Sequence, residues 1–370
     1  MPQVSAMGER RSKPDLPYLL LTLLLTALGL IMLFSASFPR AYHETGNSAG
    51  YFTSQLLFAV MGVAIMYGVS LVPYELYGKY SALLYGACVM LLLGVLLFGL
   101  TGGGATRWIK LGFISFQPSE IAKLSLILSL AKILTVQRDH SRSLRTFLAC
   151  SVAMLIFAVL LILEPHFSAT IIVGSVCFLM MLVGGANPKY LLTVALCGGG
   201  VLLLLLLTGG YTGDRLMAWM DPEAYPTDEG YQIVQSLYAI GSGGLFGLGF
   251  GMGRQKYLYL PEEHNDYIFA IVCEELGFVG AMGILILFAL LILRGYWIAI
   301  HARNRFSMLV ATGLTTLLAL QVLLNVGVVS NLLPSTGISM PFFSSGGTAL
   351  MMQLAECGIL LNISRSISQE

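Results

Sequence analysis

The dominant pattern along the chain is a series of long apolar stretches separated by short polar breaks. Such runs lie near 18–37, 53–72, 81–100, 119–135, 147–163, 168–185, 190–208, 267–293, 306–329 and 346–363. A bilayer core of about 30 Å takes roughly 20 apolar residues as a helix. Only helices and closed barrels satisfy their own backbone in lipid. Each run therefore predicts a membrane-spanning helix, about ten in all. The expected fold class is an all-α polytopic membrane protein, with one membrane domain over 1–370. The first run, Tyr18 to Ser37, follows Arg10, Arg11 and Lys13 and ends at Ser35-Ala36-Ser37, which loosely resembles a signal-peptidase site. A signal h-region has about 7–15 residues. This run is longer and reads as an uncleaved first helix.

Lysines and arginines set the orientation. With residues 1–16 as a cytoplasmic tail, the inner segments collect Arg10, Arg11, Lys13, Lys79, Lys132, Arg138, Arg142, Arg145, Lys189, Arg294, Arg303, Arg305 and Arg365. The outer segments hold only Arg40, Arg107, Lys110, Arg215, Arg254 and Lys256, although they are longer. The positive-inside rule thus predicts both termini in the cytoplasm.

One connection is long. Residues 209–266, between the seventh and eighth runs, form a large extracellular loop with many carboxylates, including Asp214, Asp221, Glu223 and Asp228. A loop of this length is usually functional or disordered. Within it, 231–240 has near-helical apolar spacing. Glycines at 241, 243, 244, 247, 249, 251 and 253 then make the backbone flexible or closely packed.

Composition sharpens the picture. Hydrophobic residues make up 56% of the chain and charged residues 11%, against roughly 25% charged in a soluble domain. So few charges cannot cover a soluble surface. The net charge of +1 points to no nucleic-acid partner. Cys88, Cys150, Cys177, Cys197, Cys273 and Cys357 all fall in apolar runs without ligand spacing, so they read as small hydrophobes and no metal site is expected.

Three stretches carry candidate chemistry. The first, GSGGLFGLGFGMGR, matches no phosphate loop, because Arg254-Gln255 follows Gly253 where Lys-Ser/Thr is needed. It reads as a turn at the membrane surface. The second, residues 259–277, holds Glu262, Glu263, Asp266, Glu274 and Glu275. Asp266 falls at the predicted helix entry, which makes it either an N-cap or a general base whose charged form is disfavoured at the edge of low dielectric. Glu274 and Glu275 lie deeper and must face a cavity, the bundle interior or a cation. In the third, FQPSEIAKL, Glu120 and Lys123 share a helix face. A mutually neutralising pair is the default there, and a phosphate contact the alternative. Arg107, Trp108 and Lys110 face the outer surface nearby and suit pyrophosphate or lipid headgroups. Glu164-Pro165-His166 reads as a polar turn or a substrate contact. The uncharged stretch 332–350, with Pro334 and Pro341, reads as a re-entrant or cavity-lining loop that includes Ser344 and Ser345.

Taken together, RWIKLGFISFQPSEIAKL, GYQIVQSLYAIGSGGLFGLGFG, YLPEEHNDYIFAIVCEELG and LLPSTGISMPFFSSGG resemble the signature stretches of the SEDS family (shape, elongation, division and sporulation). The likeness covers nearly the whole membrane region. Its spelling is closer to the FtsW and SpoVE branches than to RodA. The resemblance implies a peptidoglycan glycosyltransferase in the bacterial cytoplasmic membrane. Such an enzyme joins lipid II units to a growing undecaprenyl-linked glycan strand beside a class B penicillin-binding protein. It places the family's essential acid at Asp266 and the family's Glu-Lys pair at Glu120 and Lys123. Arg107, Lys110, Trp108, Arg215, Arg254, Glu263, Ser344 and Ser345 are the further substrate-binding candidates. A divalent cation, magnesium or manganese, is the one cofactor considered. The runner-up reading is a lipid II flippase, and a third is a scaffold for a transpeptidase. Two departures stand out. Glu164-Pro165-His166-Phe167-Ser168 occupies the place of a Gln-Pro-Asp-Leu-Gly sequence, and Glu356 stands mid-span where a neutral residue is expected.

Overall fold

The computed structural model describes residues 13–102, 105–111, 114–207, 211–225 and 227–367. Arg10 and Arg11 of the expected tail lie outside the described residues, as do parts of the 209–266 loop. The chain is mostly helical. Its helices are α1 (Leu16–Thr45), α2 (Gly50–Leu71), α3 (Tyr74–Phe98), α4 (Pro118–Val136), α5 (Leu144–Leu163), α6 (Phe167–Val183), α7 (Pro188–Leu207), α8 (Tyr211–Met220), α9 (Asp228–Gly243), α10 (Ile268–Ile300), α11 (Arg305–Val329) and α12 (Gly347–Ser364). Each of the ten apolar runs falls on a helix, and α8 and α9 lie in the long loop. Among the described residues, six helices (α1, α2, α3, α5, α10 and α11) are long and apolar enough to cross a membrane. The chain is therefore a multi-pass membrane protein.

The all-α expectation needs one correction. Between α3 and α4 the chain forms a small antiparallel sheet of β1 (Leu100–Gly102), β2 (Ala105–Leu111) and β3 (Ile114–Phe116), in the order β1-β2-β3. β1 and β3 have three residues each and β2 seven, too short to stand out from a pattern of long apolar runs.

Local chemistry sets the helix ends. Asp15 caps α1 by accepting from the Tyr18 N–H at 2.9 Å, and Asn304 caps α11 in a capping box with Ser307. The Asp15 carboxylate also takes a two-pronged contact from Arg294 of α10, with Nη2 at 2.7 Å. The Asp15 N–H donates to Ser364 at the end of α12. The start of α1, the far part of α10 and the end of α12 thus meet at one end of the bundle. At the opposite end, Arg40 of α1 grips Glu263 through Nε and Nη2 at 2.7 and 2.8 Å.

The glycine-rich stretch is packed against α10. That helix kinks at Gly277, whose φ of 67° suits glycine. The kink frees backbone groups, and the stretch after α9 takes them up. The Phe278 and Val279 N–H groups donate to the carbonyls of Gly244 and Leu245 at 2.9 and 3.1 Å. In return, the Leu248 and Gly249 N–H groups donate to the carbonyls of Glu274 and Glu275. A Cβ on Gly247 would overlap the Glu275 carbonyl, and one on Gly277 would overlap the Gly247 nitrogen. Only glycine permits that approach.

The two deep carboxylates complete this docking. Glu274 accepts from the Arg254 N–H at 2.7 Å and the Gln255 N–H at 3.3 Å. Glu275 accepts from the Gly251 N–H at 3.0 Å, from Ser35 of α1, and from the Lys256 ammonium at 2.6 Å. Lys256 is fully buried and also donates to the Gly251 carbonyl and to Ser35. Non-helical backbone beside lipid must have its polar groups satisfied, and here two side-chain anions and one cation do it. Removing one partner of a buried pair costs about 3–5 kcal/mol, because the other charge is left uncompensated. Lys256→Met is therefore expected to lower the thermal midpoint of the detergent-solubilised protein strongly. Adding Glu275→Gln should recover much of that loss. Equal midpoints for wild type and Lys256→Met would contradict this packing.

Candidate active site

The site is built where the end of the 209–266 loop enters α10. Asp266 immediately precedes Tyr267, the residue at the N-cap position of α10. The capping position expected for Asp266 thus falls one residue later. Asp266 is half-buried. Asn325 of α11, itself fully buried, fixes the backbone there: its amide Nδ2 donates to the Asp266 carbonyl and to the Ile338 carbonyl, both at 2.7 Å. One side chain thus ties the head of α10 to the 332–346 loop.

That loop closes over Asp266. Gly337 has φ of 65°, and a Cβ there would stand 3.2 Å from Asp266 Oδ2. The carboxylate therefore lies directly against a glycine. Arg215 of α8 reaches the same loop, with Nη1 donating to the Ser335 carbonyl at 3.4 Å. Asp266 and a guanidinium are thus brought to one short segment, residues 335–338, although about fifty residues separate them in sequence.

Further along, the loop's backbone is satisfied by buried side chains. Gln55 of α2 donates to the Ser344 carbonyl and accepts from the Gly346 N–H, both at 3.1 Å. Gln353 of α12 accepts from the Phe342 N–H at 2.9 Å. Ser344 is buried and its hydroxyl is engaged on both sides, accepting from the Met340 N–H and donating to the Asn265 carbonyl at 2.7 Å each. The half-buried Ser345 donates its N–H to the His264 carbonyl at 2.9 Å. These contacts explain how an uncharged, proline-containing stretch stays irregular at membrane depth.

The other candidates divide into two groups. Glu263 faces inward and is taken up by Arg40, with the His264 ring 3.8 Å from its carboxylate. Glu120 and Lys123 form the neutralising pair on α4, at 2.8 and 2.9 Å. Glu164 and His166 are buried in the turn between α5 and α6. Arg254 is exposed, and it contributes its backbone N–H to Glu274. Trp108 is half-buried on β2, opposite Leu100. The side chains of Arg107 and Lys110 lie outside what the structure describes. The cysteines are free, and all but Cys197 are buried. Sequence reasoning missed Asn325, Gly337, Gln55 and Arg40. A single amide in an apolar run is a signal of its kind, but its partner is not readable from spacing.

A helical, multi-pass protein with a half-buried acid and a guanidinium meeting at one loop has the features of a membrane-embedded enzyme or transporter. Comparison with known proteins narrows this. The family of FtsW, RodA and SpoVE, described as "Cell cycle protein", matches residues 16–369, and the chain belongs to that family. It is 40% identical over 363 residues to stage V sporulation protein E of Bacillus subtilis, covering 97% of this chain and 99% of that one. It is 35% identical over 353 residues to a probable peptidoglycan glycosyltransferase FtsW of Geobacter metallireducens, covering 95% and 94%. Among solved structures, one chain from a peptidoglycan synthase complex that coordinates polymerisation and crosslinking aligns with a TM-score of 0.80 at 28% identity, covering 96% of this chain and 99% of that chain. The rod shape determining protein RodA of Thermus thermophilus aligns with 0.73 at 28% identity, covering 96% and 98%.

Two expectations follow from the geometry. Burial alone would raise the Glu263 carboxyl, but the His264 ring and the Arg40 guanidinium hold it below its ordinary value. A depressed folded value contributes stability above the unfolded carboxyl's value of about 4.3, and that stability is lost as pH falls through the folded value. Melting across the acid range should show this loss in the wild type, and less of it in Arg40→Met. Second, Asn325→Leu removes the tie between Asp266 and Ile338. Activity is expected to fall at least about tenfold if Asp266 is the reacting group, because the head of α10 would shift. An Asn325→Leu protein with unchanged turnover would show that the tie is dispensable.

Proposed function

We propose that this peptidoglycan glycosyltransferase polymerises lipid II at the outer face of the bacterial cytoplasmic membrane, with Asp266 as its general base. The half-buried Asp266, whose backbone carbonyl is held by Asn325 and whose carboxylate lies against Gly337, carries the reading. It takes the proton of the acceptor sugar's 4-hydroxyl. The freed oxygen attacks the anomeric carbon of the growing strand as the bond to the lipid pyrophosphate breaks. One displacement inverts the anomeric centre from α to a β-1,4 link. The carboxylate has the activating role of the base in an inverting glycosidase.

The leaving pyrophosphate needs positive charge. Arg215 is the first candidate, because it contacts the loop that lies against Asp266. Arg254, exposed on the outer face, is the second. A divalent cation would arrive with the pyrophosphate oxygens and stabilise their charge. Among the described residues no three His, Cys, Asp or Glu side chains converge as a protein cage for one. The prenyl tail stays in hydrocarbon. An apolar pocket of about 660 Å³ near the end of α1, lined by Phe38, Pro39, Tyr42, His43, Ser48, Tyr257 and Leu258, supports its entry from the side.

In this reading all ten apolar helices cross the membrane, both termini are cytoplasmic, and the 209–266 loop is extracellular. The meeting of Asp15, Arg294 and Ser364 at the end opposite Asp266 supports that sidedness. The partner is a class B penicillin-binding protein that crosslinks the new strand. Resemblance to one chain of a synthase complex supports it. Purified protein in detergent with its partner and lipid II should yield glycan polymer. Asp266→Asn should fold and insert normally while losing at least about a hundredfold in rate, as expected for a general base. Detergent abolishes transport, so polymer made there separates this enzyme from a flippase. Polymer made by Asp266→Asn at the normal rate would remove Asp266 from the mechanism.

A further inference from the structure

Asp266 ends a tight turn over residues 262–266. Glu262 has φ of 56°, a left-handed conformation that L side chains rarely adopt. Its carbonyl accepts from the Asn265 N–H at 3.0 Å and the Tyr267 N–H at 3.3 Å. Backbone of this kind persists only where its surroundings over-determine it. The 332–346 loop and α11 do so on one side. The carbonyls of His264, Asn265 and Asp266 accept in turn from the Ser345 N–H at 2.9 Å, the Ser344 hydroxyl at 2.7 Å and the Asn325 amide at 2.7 Å.

The side chains of Glu263 and His264 hold the turn on its other side. Both residues are buried, at 0% and 5% exposure. Arg40 of α1 grips Glu263. The His264 ring lies against the ring of Tyr51 on α2, with centroids 4.6 Å apart and planes tilted by 54°. The Tyr51 hydroxyl donates to Glu44 of α1 at 2.8 Å, and Glu44 stands 3.8 Å from the Arg40 guanidinium. His264 Nδ1 is 3.8 Å from Glu263, which closes the circuit. Arg40, Glu44, Tyr51, His264 and Glu263 thus form one ring of side chains drawn from α1, α2 and the turn.

The links of this ring are unequal. The Arg40–Glu44 contact is long, and 42% of the Glu44 side chain is exposed, so it contributes little. His264 Nδ1 is too far from Glu263 for a hydrogen bond, and among the described residues that nitrogen has no hydrogen-bond partner. His264 is therefore held by the face of its ring. Aromatic rings at this separation attract beyond the area they bury. We propose that Tyr51 and His264 are positioning residues: their packed rings fasten the 262–266 turn to α2 and so set where the Asp266 carboxylate stands. This rests on the reading of Asp266 as the general base. A small displacement of a reacting group costs rate steeply, so a contact two residues away acts on turnover.

The test uses the full-length protein with its partner and lipid II in detergent. Tyr51→Leu and His264→Leu are each expected to lower kcat about tenfold with KM changed less than about twofold, the signature of an interaction used in the transition state. Tyr51→Phe keeps the ring and should retain most of the rate. Glu44→Gln should change it less than about twofold, as suits an exposed contact. Tyr51→Leu/His264→Leu should be no slower than the worse single variant, because both remove one contact. Hydrogen exchange gives a readout that needs no activity. Protection of the Asn265 and Tyr267 amides, which close the turn, should fall in Tyr51→Leu and stay in Tyr51→Phe. Unchanged kcat in Tyr51→Leu, a Tyr51→Phe as slow as Tyr51→Leu, multiplicative losses in the double variant, or exchange indifferent to Tyr51→Leu would overturn the proposal. If one leucine variant does not fold, the other decides. If Asp266→Asn polymerises at the normal rate, the base reading fails, while the exchange comparison still judges how the turn is held.

Discussion

The structure depends on how one stretch of irregular backbone is held beside a broken helix. α10 cannot run straight through Gly277, and the glycine-rich stretch cannot pair with itself. Each supplies what the other lacks. The carbonyls and N–H groups freed at the kink meet those of Gly244–Gly249. Glu274 and Glu275 take the remaining N–H groups, and the buried Lys256 balances the charge. Lys256, Glu274 and Glu275 are buried, where an unmade bond is costly. The first part of α10 is therefore fixed in direction, and with it Asp266 at its head.

Asp266 is placed by the same logic on its other side. Asn325, Gln55, Gln353 and Ser344 satisfy the backbone of the 332–346 loop, so that loop can lie against Asp266 without becoming a helix. Arg40 and Glu263 tie the approach to α10 back to α1. A rigid surround of this kind holds one carboxylate in a reproducible position, which is what the proposed displacement requires.

Much of this was legible in the sequence, and the rest was hidden for identifiable reasons. Hydropathy located each long helix because lipid leaves a chain few other choices. The depth of Glu274 and Glu275 announced that they needed partners. Their partners were not readable, because Lys256 lies in a loop and backbone N–H groups carry no sequence signature. Glycine density signalled close packing or freedom, and only the kink at Gly277 decides between them. Arg40 and Glu263, separated by 223 positions, share no motif. The sheet over 100–116 was invisible to a method that looks for long apolar runs. Glu263 and Ser344 looked like substrate contacts because they sit in family-like motifs, yet their polar atoms are engaged within the protein.

The most direct measurement is a structure of the full chain with its partner and a non-reacting lipid II analogue. The account predicts the acceptor's 4-hydroxyl within about 3.2 Å of an Asp266 carboxylate oxygen, with the pyrophosphate toward Arg215 and the prenyl chain leaving between helices. An acceptor sugar bound at another face, with Asp266 turned away from it, would contradict the account.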